Sequence, residues 1–304
     1  MNRKPTGIAV GTALVLAVAT ALAQGADPPE YSVDSKLVLL PVSVTDRSGA
    51  FITGLKKDAF TVSEDGVSQP IRSFSEDEAP VSTGIVLDTS GSMKSVLPVA
   101  RESLLAFAAL ANPADEAFLT TVSSRPRVWS GFTGDLDGLI SSVAYERAGG
   151  STALIDSIWV SLDQLRSAKN VRKALVVVSD GIDNHSRHTR GELLDRASEA
   201  DVQIYAVSVF DPPLYVKGAA VAEQQHGMQL MQDLASRTGG LEYWVRSRGD
   251  IEQAIGGIGD ALRSQYNIGY IPANPDRSGR FRRVQVRMAR AGLKAHTRTG
   301  YRLD

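Results

Sequence analysis

The chain has no cysteine among its 304 residues. That excludes disulfides, thiolate metal sites, cysteine nucleophiles and a lipidated cysteine. It has no excess of either charge: 33 Lys+Arg stand against 34 Asp+Glu, a formal net charge of −1. The chain as a whole therefore has no basic bias toward nucleic acid or anionic lipid, and no nucleic-acid partner is expected. After residue 23 no apolar run is long enough to cross a bilayer. There is no P-loop Gly-Lys-Ser/Thr run and no Gly-x-Ser-x-Gly elbow, so two sequence signals of phosphoryl and acyl transfer are missing. What remains, 43% hydrophobic and 22% charged, is the composition of a globular protein with enough chain for a sizeable core.

The N-terminus reads as a leader. Arg3 and Lys4 precede a small, apolar run from Gly7 to Leu22, and Ala21-Leu22-Ala23 fits a small-x-small cleavage signal. Removing residues 1–23 leaves 31 basic and 34 acidic groups, a net charge of −3. The expectation is an exported protein, periplasmic or secreted to the surface, with no transmembrane segment after cleavage; an uncleaved anchor is the alternative. Residues 24–34, with Pro28-Pro29, read as a linker.

Two grammars follow. Residues 35–79 are β-like: Lys36–Thr45 is a strand candidate, Phe60–Ser63 alternates and ends at a turn at Asp65-Gly66, and Gln69–Phe74 is a further strand. From residue 80 to 265, continuous apolar runs alternate with helical segments. The runs are Gly84–Leu87, Phe118–Val122, Ala174–Val178, Val202–Val209 and Leu241–Val245, with Arg127–Phe132 as a short extra strand. The helices are expected near Val96–Leu110, Leu136–Val143, Ala153–Ser167, Gly191–Ala200, Glu223–Arg237 and Ile251–Ser264. Runs without polar alternation indicate strands covered on both faces. Repeated βα units indicate an α/β fold with a doubly wound, mostly parallel sheet. Residues 266–304 return to β, with strands at Tyr266–Ile271, Phe281–Met288 and Ala295–Tyr301. Neither flank alone has enough strands for a stable sheet. Residues 35–79 and 266–304 are therefore expected to form one β-sandwich-like module, with the α/β domain inserted between them; two independent extensions are the alternative.

Ligands of open α/β sheets gather at the carboxyl ends of the strands. Three such ends here carry matching chemistry. The first is Asp88-Thr89-Ser90-Gly91-Ser92; the second is Gly149-Gly150-Ser151-Thr152, leading into a helix; the third is Ser179-Asp180-Gly181. Two carboxylates and three hydroxyls are hard oxygen donors, suited to Mg²⁺, Mn²⁺ or Ca²⁺ rather than zinc or copper.

These elements resemble the von Willebrand factor type A domain and its metal-ion-dependent adhesion site. The resemblance covers about Ser82 to Gln265. It implies Asp88, Ser90, Ser92, Thr152 and Asp180 as the metal ligands. One departure is Ser151, an extra residue in the usual Gly-Gly-Thr form, which could replace Thr152 as the ligand. Val42–Asp46, Ser63-Glu64-Asp65-Gly66, Ile268–Pro272 and Arg298–Tyr301 resemble the flanks of bacterial exported proteins that carry this domain. The implied function is non-enzymatic: a metal-dependent module that grips an Asp or Glu carboxylate of a protein partner. A metal-dependent hydrolase and an envelope scaffold with a stabilising ion are the alternatives.

Other features read as structural. Arg248-Gly249-Asp250 places an Asp where a helix N-cap is expected. Asp183, His185 and His188 match no strong zinc spacing and read as a polar loop and cap, with extension of the metal site as the alternative. His226 and His296 read as surface residues, and Trp129, Trp159 and Trp244 as core. Val216–Glu223 reads as a loop beside the metal face.

Overall fold

The computed structural model describes residues 37–302 except 77, 110, 210–218, 275 and 277. The expected leader, the linker and the first part of the Val216–Glu223 loop lie outside the described residues. From Ala219 onward that loop is helical instead.

In chain order the N-terminal flank supplies β1 (Val38–Thr45), β2 (Phe60–Glu64), β3 (Val67–Gln69) and β4 (Ile71–Ser75). The strand expected at Gln69–Phe74 is thus two strands. Pro70 lies between them, where a residue without an N–H cannot serve a ladder. The middle supplies β5 (Val81–Asp88), α1 (Leu97–Ala108), β6 (Glu116–Val122), β7 (Arg127–Val128), α2 (Leu136–Ser141), α3 (Leu154–Gln164), β8 (Arg172–Ser179), α4 (Arg190–Glu199), β9 (Gln203–Val209), α5 (Ala219–Thr238), β10 (Glu242–Val245) and α6 (Arg248–Arg263). The C-terminal flank supplies β11 (Gln265–Tyr270), β12 (Phe281–Met288), β13 (Lys294–His296) and β14 (Gly300–Arg302).

The central sheet has the order β10-β9-β8-β5-β6-β7 and is parallel except for β7, which runs antiparallel to β6. Its helices cover both faces. Ile85 and Leu87 of β5 pack with Leu104 of α1 and Ile258 of α6. Val86, between them, points the other way and packs with Ile158 of α3 and Leu234 of α5. That period of two, apolar on both sides, is why the strands read as continuous runs.

Strands of both flanks share two antiparallel four-stranded sheets, β13-β1-β11-β4 and β14-β12-β2-β3. Their common core holds Val38, Leu40, Val42 and Val44 of β1, Phe60 and Val62 of β2, Tyr266, Ile268 and Tyr270 of β11, and Val284 and Val286 of β12. The single strand expected at Ala295–Tyr301 is two strands, one in each sheet, because the chain crosses between sheets at residues 297–299.

Three smaller expectations fail. Trp244 lies on the edge strand β10 and is 41% exposed rather than core. His296 is half-buried and hydrogen-bonded to Thr45 at 2.8 Å rather than free at the surface. The N-cap of α6 is Ser247, and Asp250 is the reciprocal partner of its capping box.

Candidate metal centre

Parallel strands end together, so β5 and β8 deliver Asp88 and Ser179-Asp180 to one edge of the sheet. Asp88 is fully buried. Its Oδ1 accepts the Ser90 N–H at 2.8 Å, and its Oδ2 accepts the Ser179 hydroxyl at 2.5 Å. Both partners are neutral. Burial pushes the Asp88 carboxyl up to about 6, Asp180 adds to the rise, and the serine bonds offset it only in part.

Beyond Asp88 the chain turns sharply. Ser90 is extended, and Gly91–Ser95 forms a short 3₁₀ turn that leads into α1. Met93, fully buried, pins this turn to the core. The hydroxyls of Ser90 and Ser92 face each other at 3.1 Å; Ser90 is buried and Ser92 exposed, so the pair runs from the interior to the surface.

Thr152 is buried and arrives on the loop before α3. That loop is tied to its neighbours on both sides. The Gly149 N–H donates to the Thr89 carbonyl at 2.8 Å, and the Ala153 N–H donates to the Ser123 carbonyl at 2.8 Å. The Thr152 N–H donates to Asn184 Oδ1 at 2.9 Å, while its carbonyl accepts the N–H groups of Asn184 and His185 at 3.0 Å. The third loop is held by Asp180 Oδ1, which accepts the Ile182 N–H at 3.0 Å. Gly181 has φ +79°, and a Cβ there would lie 2.4 Å from the Gly227 carbonyl oxygen of α5, so only glycine fits.

The structure therefore brings Asp88, Ser90, Ser92 and Asp180 to one edge of the sheet, at the ends of β5 and β8, and ties the Thr152 loop to the loops on either side. Ser179 and Asn184 are positioning residues that the sequence pattern did not single out. Ser179 stood in a run already read as a strand end. Asn184 carries no signal, because its partner is 32 residues away.

Asp183 and His188 are engaged at the start of α3. Asp183 Oδ2 accepts the Ile155 N–H at 2.9 Å and Ser186 Oγ accepts that of Asp156 at 2.9 Å, so this loop caps α3. His188 bonds Asp156 at 2.7 Å and stacks on Trp159 with ring centroids 4.0 Å apart. Among the described residues no three of His, Asp or Glu gather as a metal cluster. The donor set at Asp88 is of another kind, two carboxylates and neutral hydroxyls, and it fits a hard divalent ion that keeps water ligands.

Residues 83–182 match the family model of the von Willebrand factor type A domain. The chain carries a von Willebrand factor type A (VWA) domain. Among solved structures, the pilus adhesin SpaC from Lactobacillus rhamnosus GG, in its open conformation, aligns with a TM-score of 0.51 at 10% identity, over 83% of this chain and 48% of that one. This chain thus spans about half of SpaC, and the likeness is one of fold. BatB from Bacteroides thetaiotaomicron, a conserved hypothetical protein, gives 0.45 at 17% identity over 60% of this chain and all of its own. The PilB minor pilin of Streptococcus sanguinis gives 0.47 at 14% identity, over 65% and 64% of the two chains. No curated protein matches the chain. The family match contains all three of these loops and stops short of both β flanks.

Proposed function

We propose that this VWA domain is an exported protein-recognition module, not an enzyme. In this reading Asp88, Ser90, Ser92, Thr152 and Asp180 hold a Mg²⁺, Mn²⁺ or Ca²⁺ ion. The ion supplies a Lewis-acidic position for an Asp or Glu carboxylate of a protein partner. The observation that carries the reading is the buried Asp88 carboxylate, which among the described residues is bonded only to neutral donors and feels a second carboxylate, Asp180.

The side chains divide the work. Ser179 and the Ser90 N–H hold the two Asp88 oxygens and so set their direction. The Ser90–Ser92 pair carries the donor set outward to solvent, where a partner can reach it. Neutral hydroxyls take little charge from an ion and leave it electrophilic toward an anion. The fold shared with a pilus adhesin fits this reading. Export rests on the leader at residues 1–23, and among the described residues no helix is long and apolar enough to cross a membrane.

The test is a Mn²⁺ titration by calorimetry, followed by capture from envelope extract in Mg²⁺ and in EDTA, with Asp88→Ala alongside. Wild type should bind one ion and retain a partner only in Mg²⁺, and Asp88→Ala should do neither while remaining folded. Capture indifferent to EDTA and to Asp88→Ala would overturn the reading and favour a scaffold.

A further inference from the structure

The near-zero net charge hides a segregation. From residue 277 to 303 the sequence holds eight arginines, one lysine and no acidic residue. Other parts of the fold match some of them: Arg282 pairs with Glu64, Arg298 with Asp201, Arg302 with Glu199 and Arg280 with Asp65. Arg283, Arg287, Arg290 and Lys294 are exposed and form no ion pair with the described residues.

Two of these sit in a regular pattern. On β12, Val284 and Val286 enter the core, so Arg283, Gln285 and Arg287 share the outer face. Gln285 lies opposite Ser63 on β2, and Ser63 opposite Ser68 on β3; Arg287 lies opposite Thr61. Two cations about 13 Å apart, four residues along a strand, thus bracket a row of neutral amide and hydroxyl groups. Beyond Arg283 the Phe281 ring lies over Gly300, where a Cβ would be 2.5 Å from it. Arg280, Phe281, Arg283, Gln285 and Ser63 line one open groove together with Asp65, whose carboxylate is taken up by Arg280 and by the Arg283 N–H; Arg287 lies beyond the groove and donates to Gln285 Oε1 at 3.1 Å.

We propose that the outer face of the β14-β12-β2-β3 sheet binds a linear acidic polysaccharide. Its carboxylate or sulfate groups pair with Arg283 and Arg287, and its hydroxyls bond to Gln285, Ser63 and Ser68. The alternation of cations with neutral donors favours this occupant. A phosphate backbone needs charge alone. A membrane surface calls for apolar side chains to insert, whereas Arg283, Gln285, Arg287, Thr61, Ser63 and Ser68 are polar and the one apolar residue of the β12 outer row, Phe281, is partly buried against Gly300. The face shares no residue with the proposed metal centre.

The experiment immobilises the whole chain in EDTA and measures heparin, polygalacturonate, neutral dextran, duplex DNA and phosphatidylglycerol vesicles by interferometry. Heparin and polygalacturonate should bind and dextran should not. Arg283→Ser/Arg287→Ser should weaken binding about tenfold and lower the slope of log affinity against log salt by about two. Arg283→Lys/Arg287→Lys should keep most of that slope and so separates lost charge from misfolding. Asp88→Ala should bind both polymers as wild type does, which keeps this outcome distinct from failure of the metal reading. Equal binding by the serine variant, binding of dextran, or retention of DNA or vesicles without polygalacturonate would overturn the proposal.

Discussion

Asp88 and Glu64 are both carboxylates buried on β-strands, one in the VWA domain and one in the flanking sheets, and the fold treats them in opposite ways. Glu64 faces the Arg282 guanidinium at 2.8 Å, and its other oxygen accepts the hydroxyls of Tyr270 and Tyr301, each at 2.7 Å. Arg282 is itself buried, raised by that partner, and donates further to the carbonyls of Asn274 and Asp276. Every charge there is answered from within the chain. Asp88 receives two bonds from neutral donors and the field of another acid. A buried charge left unneutralised costs several kcal/mol. The flanking sheets thus close their polar network on themselves, whereas the end of the central sheet leaves a negative centre open toward solvent through Ser90 and Ser92.

The largest effect should come from breaking the closed pair. Arg282→Ala leaves Glu64 buried without its cation and should cost about 3–5 kcal/mol in urea unfolding. Replacing both partners, Arg282→Met with Glu64→Leu, should recover much of that loss; no recovery would mean that packing rather than charge sets the stability of these sheets.

Asp88 should behave in the reverse sense. Its folded carboxyl lies at about 6 against an ordinary 3.8. A raised acid stabilises the fold below pH 3.8, and the contribution is lost as pH rises through about 6, so at neutral pH the ion-free fold carries a penalty of about 3 kcal/mol. In EDTA, wild type should therefore lose stability relative to Asp88→Asn between pH 4 and 7. Mg²⁺ should close the gap at pH 7 and do little at pH 4, where protons compete for the same oxygens. A stability difference flat with pH in EDTA would refute this account of the site.

A smaller change sharpens the comparison from outside the ion. Ser179→Ala removes the 2.5 Å bond to Asp88 and should cost about 1–3 kcal/mol in thermal unfolding. It should also weaken Mn²⁺ binding while leaving the Arg282 pair untouched.

The smallest effect belongs to His296 in the flanking sheets, because this side chain is only half-buried and solvent screens much of its shift. Burial, with Lys294 adding to it, lowers this imidazole from 6.5 to about 4. A lowered histidine stabilises the fold above pH 6.5, and the contribution is lost as pH falls through about 4. Wild type should weaken relative to His296→Gln over that window, the opposite slope to Asp88, as read by thermal midpoints in buffers of increasing pH.

The α/β class was legible in the sequence because its signals are local. Runs such as Ala174–Val178 lack polar alternation only when both faces are covered, and βα repetition follows from chain order. The candidate ligands were legible for the same reason: Asp88, Ser90 and Ser92 are consecutive alternate residues, and each loop follows its own apolar strand. Short polar strands were harder. The Ala295–Tyr301 segment reads as one strand because nothing local marks the step from one sheet to the other. Trp244 reads as core because hydropathy does not say that β10 is an edge.

By itself, then, the sequence determined the class of the central sheet, its order of elements and the oxygen donors at its strand ends, all consequences of period and spacing along the chain. Only the tertiary structure decided which distant groups meet. Glu64 and Arg282 are 218 residues apart, Asp88 and Ser179 are 91 apart, and Thr152 and Asn184 are 32 apart. Those pairings decide which buried carboxylate is neutralised and which is left open. They depend on sheet registers between strands remote in sequence, and no local pattern encodes them.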